Sequence, residues 1–595
     1  MSGSPSRTQR EAIRFFQGPC LVLAGPGSGK TFVITERIHY LITQRGVAPD
    51  TILALSYSRA SADELKTRCR RRFGEACEGV CFGTFHSVFY QFLKEQSKGP
   101  LSLLTGQERH AFFTERAVQL RKGLMEESLP PCFQYLPDEE RALALASAVA
   151  LMKSAVPGQA GDMLERQYPG AAGDRFFLDT ASAYEAYLKK TGRIDYEDML
   201  LRSYILMRDD AAAAGRMRGR FRFLLVDEFQ DMNPLQLSLM KCLLSEEKNL
   251  FVVGDDDQAI YAFRGAVPSI VQLFEKDFPD CRKVCLSINY RCAPGILRAS
   301  TAVVRKNQNR MEKHLKAASP FALRCFFVEA YSDRRSQFLA QREKIRRFLL
   351  HGETCAVILR SHFQADLLLR VFADAPDPRA EYMICRLLRL ALPMFFPCIS
   401  GDSHETERQQ LRILGKRCGI RDDLLLSAAK KHRERTIPMA IREILLLSRA
   451  GEILCRDRET AERVDKLLEL LMRDAKAAAS PIVFCEFLER QAAAILQPPA
   501  KEELPDPFCR EQFVVCTMHG AKGLEFAHVF VPDLNEGVLP TRRAVSADSL
   551  EEERRLLYVA MTRAIKTLEL SYVTGSDLMR PSPCRFLSPF LADRA

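Results

Sequence analysis

A glycine-rich segment that ends in a lysine and a threonine lies near the start of the chain. It comprises Ala24, Gly25, Pro26, Gly27, Ser28, Gly29, Lys30 and Thr31. The glycines allow consecutive backbone N–H groups to curl around phosphates, while Lys30 reaches the β- and γ-phosphates and Thr31 binds Mg²⁺. Ala24 stands where the strict pattern has a glycine, and its small side chain still permits the turn. The segment predicts that the chain binds a nucleoside triphosphate, without saying what the nucleotide drives.

Two neighbouring carboxylates follow a later apolar run. Asp227 and Glu228 stand at the carboxyl end of a predicted buried strand, where open α/β sheets bind ligands. In this interpretation Asp227 holds Mg²⁺ directly or through water, and Glu228 orients and deprotonates the water that attacks the γ-phosphate. Alone, such a pair is more typical of a solvated acidic turn. Together with the glycine-rich segment it predicts a site of ATP hydrolysis.

A third group of polar and aromatic residues follows the apolar run Leu250–Gly254. Gln258 can reach the γ-phosphate, whereas Tyr261 and Phe263, a few positions on, point elsewhere. Aromatic rings hold single strands by stacking, without reading sequence, and Arg264 adds a phosphate or cation–π contact. Aromatic residues after a strand belong more often to a core, but the neighbouring arginine and glycine favour an exposed surface. The group predicts a link between nucleotide state and a stacking surface.

The length and composition limit the class of protein. A chain of 595 residues is too long for one hydrophobic core, so we expect about three or four domains. The net charge of +11 is compatible with a polyanionic partner but does not by itself argue for one. The 19 cysteines are scattered, and the group Cys281, Cys285 and Cys292 lacks a fourth nearby ligand. Reduced thiols of a cytoplasmic protein are therefore favoured over a metal site, and neither a membrane span nor an export signal is predicted.

Apolar runs of strand length recur in two separated groups. The first group lies at residues 20–24, 51–57, 223–227 and 250–254, and the second at residues 355–359, 513–517, 529–532 and 568–572. Each run is short, bounded by Gly, Pro or Asp, and separated from the next by a helical pattern, which predicts two parallel α/β units. Two long segments, of about residues 90–190 and 386–505, are predicted to be helical insertions into these units.

Motifs along nearly the whole chain resemble, in order, those of the UvrD/Rep/PcrA-type helicases of superfamily 1. Besides the three segments above, they lie at residues 6–13, 53–61, 83–87, 195–200, 286–291, 517–525 and 551–564. The resemblance implies an α/β fold with two RecA-like parallel-sheet domains of the P-loop NTPase type. Residues 1–90 and 191–281 would form the first domain, with residues 91–190 as its mainly helical insertion. Residues 282–385 and 506–595 would form the second, with residues 386–505 as its shortened insertion.

The resemblance also assigns residues around the nucleotide, and it implies ATP and Mg²⁺ as cofactors. Gln9 would read the adenine, and Tyr290 would stack on it. Arg291 would reach the γ-phosphate, Arg563 takes the place of an arginine finger, and Glu525 belongs to a motif that joins DNA and ribose contacts. The predicted catalytic residues are Lys30, Asp227, Glu228, Gln258, Arg291 and Arg563.

The implied contacts with single-stranded DNA run across both units. They involve Tyr57, Thr84, His86, Tyr261, Phe263, Arg264, Thr517 and His519. The chain has no tryptophan, so Phe263 stands where the family commonly stacks a base on that residue. Stacking should persist but weaken, since one base–aromatic contact is worth about 1–3 kcal/mol and scales with ring area. Arg59 and Ala60 likewise replace the usual Asn-Lys pair of the second motif.

The predicted function is that of an ATP- and Mg²⁺-dependent 3′→5′ DNA helicase in genome maintenance, acting on single-stranded and 3′-tailed duplex DNA. One alternative is a translocase that strips proteins from single strands but unwinds poorly. Another is a motor subunit of a nuclease or defence complex. No nuclease-type carboxylate cluster is visible in the sequence, so any cutting activity would come from a partner protein.

Overall fold

Two sheets of parallel strands organise the chain in this computed structural model. The structure describes residues 4–97, 99–123, 138–267, 269–318, 325–375, 378–396, 422–430, 436–448, 458–575 and 581–591, and residues 130, 132–133, 136, 411, 450 and 454. The strands among them are β1 (Cys20–Ala24), β2 (Ile52–Ser56), β3 (Cys81–Thr84), β4 (Ser102–Leu103), β5 (Arg193–Ile194), β6 (Phe223–Val226), β7 (Leu250–Gly254), β8 (Arg282–Leu286), β9 (Ile288–Asn289), β10 (Lys316–Ala317), β11 (Phe326–Tyr331), β12 (Cys355–Leu359), β13 (Phe513–Thr517), β14 (Phe526–Val531) and β15 (Ala564–Val573).

The first sheet has six parallel strands in the order β3-β2-β6-β7-β1-β8. Its central strands are buried on both faces, and this is why they read in the sequence as continuous apolar runs. Alternate residues of these strands pack into two separate hydrophobic cores. Leu21 and Leu53 belong to one core, and Val22 and Ala54 belong to the other. The glycine-rich loop, the Asp227–Glu228 pair and the segment that contains Gln258 each follow the carboxyl end of one of these strands. The sheet therefore brings them together at one edge.

The second sheet has five parallel strands in the order β11-β15-β14-β12-β13. Strand β12 is fully buried and pairs with β13 and β14, with Cys355 opposite Phe513 and His528. A separate two-strand ladder pairs β9 with β10, with Lys316 opposite Ile288. The structure therefore contains the two parallel α/β units that the sequence predicts.

Helices connect the strands and form both insertions. The helices of the first unit and its insertion are Arg7–Arg14, Lys30–Arg45, Arg59–Phe73, Phe85–Gln96, Gly106–Gly123, Asp138–Lys153, Ala160–Gln167, Arg175–Thr191, Asp198–Asp209, Ala211–Arg220, Pro234–Leu243 and Ile270–Asp277. Those of the second unit and its insertion are Pro294–Val304, Arg334–Leu350, His362–Phe372, Arg379–Phe395, Asp422–Lys430, Ile437–Leu447, Arg458–Ala477, Pro481–Leu496, Ala547–Met561 and Ser588–Leu591. Each insertion has a core of its own, built around residues such as Phe113 and Phe177 in the first and Leu388 and Leu471 in the second.

The structure corrects the sequence-based boundary between the two units. Strand β8 pairs with β1, with Cys20 opposite Arg282, so residues 282–286 belong to the first sheet and not to the second unit. The predicted strand runs did not include β3 or β11, and they did not place β8 in the first sheet. These three strands lie at sheet edges, and exposed or half-buried residues interrupt their apolar pattern.

Among the helices of the described residues, none combines the length and the hydropathy that crossing a membrane requires.

Candidate ATP site and single-strand interface

The glycine-rich loop joins β1 to the helix Lys30–Arg45. Gly27 and Gly29 have φ angles of 61° and 86°, in the left-handed region that favours glycine. A Cβ atom on Gly27 would lie 2.5 Å from the Cβ of Arg291, so the second unit approaches this turn too closely for any other residue. Lys30 and Thr31 follow in the first helical turn, beside the free backbone N–H groups of the helix start. These features are typical of a phosphate-binding loop, and the helix that follows it runs from Lys30 to Arg45.

The two carboxylates of the acidic strand end lie close to the lysine of this loop. Burial, together with the adjacent Glu228, raises the pKa of Asp227 to about 7, and Lys30 opposes that shift. Burial acts in the same direction on Glu228, but Lys30 and Lys522 outweigh it and lower the pKa of that carboxyl. Glu228 has a φ of 51°, which is uncommon for a residue with a side chain, and Gln230 Nε2 donates to its Oε2 over 2.6 Å. The strained, hydrogen-bonded Glu228 is thus held ionised beside the loop.

These residues fit a magnesium ion. Carboxylate and hydroxyl oxygens are the ligands that Mg²⁺ prefers, and Asp227 and Thr31 supply one of each at the same end of the sheet. Burial and the adjacent Glu228 both raise the pKa of Asp227, and a divalent cation bound there would oppose both effects.

Two arginines from the second unit reach the first unit at this site. Arg563 is almost fully buried, and its Nη2 donates to Gln258 Oε1 over 3.1 Å. Its Nε donates to Val559 O over 2.9 Å, and burial, reinforced by Arg291, lowers its pKa to about 10. Arg291 donates to Thr562 O over 3.2 Å, while its Nε is buried without a hydrogen-bond partner, which suits a donor to a phosphate oxygen. Arg563, the predicted arginine finger, and Arg291, the predicted γ-phosphate residue, therefore lie close together.

Direct contacts tie the loop to the strand β9 segment of the second unit. Asn289 Nδ2 donates to Pro26 O over 2.6 Å, and Tyr290 N donates to Gly27 O over 2.8 Å. The Tyr290 ring is 38% exposed, as a ring that stacks on a base must be. Glu525, which the resemblance places near the ribose, forms an ion pair with Arg291. Gln9 is buried against the loop, and its Nε2 donates to Ser28 O over 3.0 Å.

An aromatic cluster lies on the surface beside Gln258. Tyr57 stacks on Tyr261 with ring centroids 4.9 Å apart, and Tyr261 lies 5.9 Å from Phe263. His519 of the second unit meets Phe263 edge-on, with a centroid distance of 5.5 Å. Phe263 is 51% exposed, so the prediction of a surface ring rather than a core ring is confirmed. The side chain of Arg264 lies outside the described residues.

A cavity of about 1000 Å³ continues this surface between the first sheet and its helical insertion. Tyr57, His86 and Phe263 line it, together with Arg59 and Tyr196. The lining is aromatic and partly basic, which is typical of surfaces that stack single-stranded nucleic acid, and we call this cavity the channel. Arg59, the residue that departs from the family pattern, therefore faces the same channel as the predicted stacking residues.

His86 and Thr84 occupy one wall of the channel. His86 stacks on Tyr196 at 4.1 Å, and burial lowers the pKa of His86 to about 4, so its ring is neutral at pH 7. Thr84 Oγ1 accepts a hydrogen bond from Ser87 N over 3.2 Å and caps the helix that carries His86. Tyr196 was not predicted as a site residue, although the sequence signal was present in its motif at residues 195–200.

One lysine links the ATP site to the aromatic cluster. Lys522 pairs with Asp231 at 2.5 Å, donates to Gln258 O over 2.9 Å, and lies 4.9 Å from the Tyr261 ring centroid. It stands five residues after Thr517, whose Oγ1 accepts from Gly520 N over 3.2 Å. Lys522 was not predicted as a site residue, because Asp231 and Gln258 are far from it in the chain.

Two parallel sheets, one with a phosphate loop and an acidic strand end and the other with two arginines that reach them, define a two-domain P-loop ATPase. Comparison with known proteins identifies the family. The UvrD/REP helicase N-terminal domain matches residues 6–279, and the UvrD-like helicase C-terminal domain matches residues 424–575. The chain belongs to the UvrD-like helicases.

Named relatives align with the chain almost from end to end. The ATP-dependent DNA helicase Rep of Salmonella typhimurium is 27% identical over 97% of this chain and 93% of its own length, and Rep of Escherichia coli has the same values. The ATP-dependent DNA helicase PcrA of Staphylococcus aureus is 26% identical over 97% of this chain and 85% of its own length.

Proposed function

We propose that this chain is an ATP-dependent DNA helicase that moves 3′→5′ along single-stranded DNA with Mg²⁺ and ATP. Family membership and the full-length relatives support the helicase activity. The observation that carries the mechanism is the hydrogen bond from Arg563 to Gln258, which joins the two units at the phosphate loop. Polarity, the Mg²⁺ requirement and the individual residue roles are part of the proposal.

The chemistry is phosphoryl transfer to water in the cleft between the units. Lys30 binds the β- and γ-phosphates, and Thr31 and Asp227 would hold Mg²⁺, which neutralises phosphate charge when bound. Glu228, held ionised by its surroundings, accepts the proton of the attacking water. Arg291 and Arg563 neutralise the charge that develops on the transferred group.

Closing of the cleft is coupled to the aromatic surface through Gln258. This residue contacts Arg563 by its side chain and Lys522 by its backbone carbonyl, and Tyr261 follows three residues later. Since Arg563 and Lys522 both belong to the second unit, a change in cleft geometry at the phosphates also moves Tyr261 relative to His519. Repeated closing and opening then advances the strand past Phe263.

Binding to the strand relies on stacking and on phosphate contacts, without base readout. The channel presents the rings of Tyr57, Tyr196 and Phe263, while Arg59 adds positive charge. His86 is neutral at pH 7, so it donates a hydrogen bond to phosphate and does not act as a cation. We therefore expect affinity for single strands to fall with increasing salt but to vary little with sequence.

Strand displacement by the purified chain tests this function. Duplexes with a 3′ tail, a 5′ tail or blunt ends are incubated with ATP and Mg²⁺, and Lys30→Ala serves as the control for contaminating helicases. Unwinding of the 3′-tailed duplex alone, absent in Lys30→Ala, is the expected result. Displacement of streptavidin from a biotinylated 3′ strand without strand separation would support the protein-stripping alternative. Absence of any DNA-stimulated ATPase would overturn the proposal.

A further inference from the structure

Three consecutive aspartates lie buried where the first unit meets the second. Asp255, Asp256 and Asp257 follow β7, and each exposes 2% or less of its surface. One oxygen from each lies within 4.8 Å of the others, so the group has the geometry of a cation site. In the structure a side chain provides that cation: Lys313 pairs with Asp255 at 2.7 Å, with Asp257 at 3.0 Å and also with Asp256.

The cluster is strongly organised around Lys313. The ammonium group is fully buried, and although burial alone would lower its pKa, the three carboxylates outweigh that effect and raise it, so the lysine is charged. Arg310 adds a bidentate contact to Asp257, over 2.9 Å and 2.8 Å. The first unit supplies the carboxylates and the second unit supplies both cations. The cluster therefore joins the two units at a fixed point.

The cluster is in direct contact with the catalytic glutamine. Asp255 Oδ1 accepts a hydrogen bond from Lys313 Nζ, and Asp255 Oδ2 accepts one from Gln258 Nε2 over 2.5 Å. The carbonyl oxygen of the same amide, Gln258 Oε1, accepts a hydrogen bond from Arg563 Nη2. Gln258 is thus held from both sides, by Asp255 within its own loop and by the arginine from the second unit.

The segment that carries Lys313 is fixed to the helix that precedes Arg563. Asn307 Nδ2 donates to Glu551 O over 3.0 Å, and Arg555 Nη2 donates to Asn309 O over 2.8 Å. Glu551 and Arg555 lie on the helix Ala547–Met561, which ends two residues before Arg563. One rigid element of the second unit therefore positions both the arginine finger and the lysine that holds the glutamine loop.

We propose that Lys313 is a positioning residue for ATP hydrolysis: it fixes Asp255, and through Asp255 it orients Gln258 toward Arg563 and the γ-phosphate. The Lys313 ammonium is fully buried against the carboxylates, and its effect on turnover passes through Asp255 to Gln258. The inference rests on the proposed roles of Gln258 and Arg563 in the ATP site. It adds a residue that none of the recognised motifs contains.

A double-mutant cycle tests this dependence. The DNA-stimulated kcat and the KM for ATP are measured for Lys313→Met, Gln258→Ala and the double variant, with Lys316→Met as the matched control, because Lys316 is an exposed lysine three residues away. Lys313→Met should lower kcat at least ~tenfold while the KM for ATP changes less than ~twofold, and it should cause no further loss in the Gln258→Ala background. The control should behave as wild type.

The outcomes separate the inference from the function on which it rests. If Lys313→Met lowers kcat by the same factor with and without Gln258, its role is structural and the inference is overturned. If Gln258→Ala retains wild-type kcat, the proposed catalytic role of Gln258 itself is wrong. Should Lys313→Met fail to fold, Arg310→Gln enters the same cycle, since the Arg310 side chain is 12% exposed and holds Asp257 from the cluster's edge.

Discussion

Replacing Phe263 by alanine should separate ATP hydrolysis from movement along DNA. The ring is 51% exposed and meets Tyr261 and His519 through edge contacts, so its removal opens no cavity in a core. The free energy of unfolding should therefore change by no more than about 0.5 kcal/mol, as for other surface substitutions. The phosphate loop and both arginines keep their contacts, which leaves DNA-stimulated ATPase intact.

The expected loss in movement follows from one base stack. Such a contact is worth about 1–3 kcal/mol, which corresponds to a loss of roughly 5- to 150-fold in affinity for the strand at each step. That loss is enough to let the strand slip but too small to abolish binding, which backbone contacts also support. Phe263→Trp should be tolerated or should improve unwinding, because a larger ring stacks over more area.

The assay compares ATP consumed with base pairs separated on the 3′-tailed duplex. Phe363→Ala is the matched control, because Phe363 is 55% exposed on a helix of the second unit and does not line the channel. Phe263→Ala should hydrolyse ATP near the wild-type rate while unwinding falls, and Phe363→Ala should retain both activities. Unchanged unwinding by a folded Phe263→Ala protein would refute the assignment of this ring as the stacking residue.

Three further predictions concern the chemistry and the pH response. Glu228→Gln should bind Mg²⁺ and ATP but lose turnover, as measured by single-turnover hydrolysis; normal turnover would remove Glu228 from the role of base. Arg563→Ala should lower kcat by a factor on the order of 10³ while the KM for ATP changes less, whereas equal losses would indicate a ground-state contact. Burial lowers the pKa of His86 from 6.5 to about 4, so between these values the unfolded chain binds a proton that the folded chain does not. His86 thus destabilises the fold as pH falls through this window, and His86→Gln should flatten the pH dependence of the melting temperature there.

The central strands and the chemistry at their ends were predictable because both leave local signals. A strand buried on both faces reads as a continuous apolar run, and β1, β7 and β12 have the predicted bounds. Strand β13 lies at a sheet edge but also has its predicted bounds, because residues 513–516 are all apolar. The other edge strands leave a weaker signal. Strand β8 begins with the exposed pair Arg282 and Lys283, so its pairing with β1 was missed and the boundary of the second unit was placed one strand too early.

Contacts between distant segments left no signal in the sequence. Lys522 lies 291 residues from Asp231, and Lys313 lies 58 residues from Asp255, so no local pattern pairs them. Lys313 lies in a polar segment that also contains Lys306 and Lys316, and it reads as a surface residue until the fold buries it among three carboxylates. The link between the units therefore became visible only in three dimensions.

The central claim is that the nucleotide state at the phosphate loop reaches the stacking surface at Phe263. Since the chain has no tryptophan, Phe263→Trp introduces a unique fluorescent reporter at that surface. With single-stranded DNA bound, addition of ATP and Mg²⁺ should change the emission of this reporter in a single-turnover experiment, and hydrolysis should reverse the change. Adding Lys30→Ala should abolish the response to ATP and preserve the response to DNA. Emission that responds to DNA but is unaffected by ATP in the Lys30-containing protein would contradict the claim.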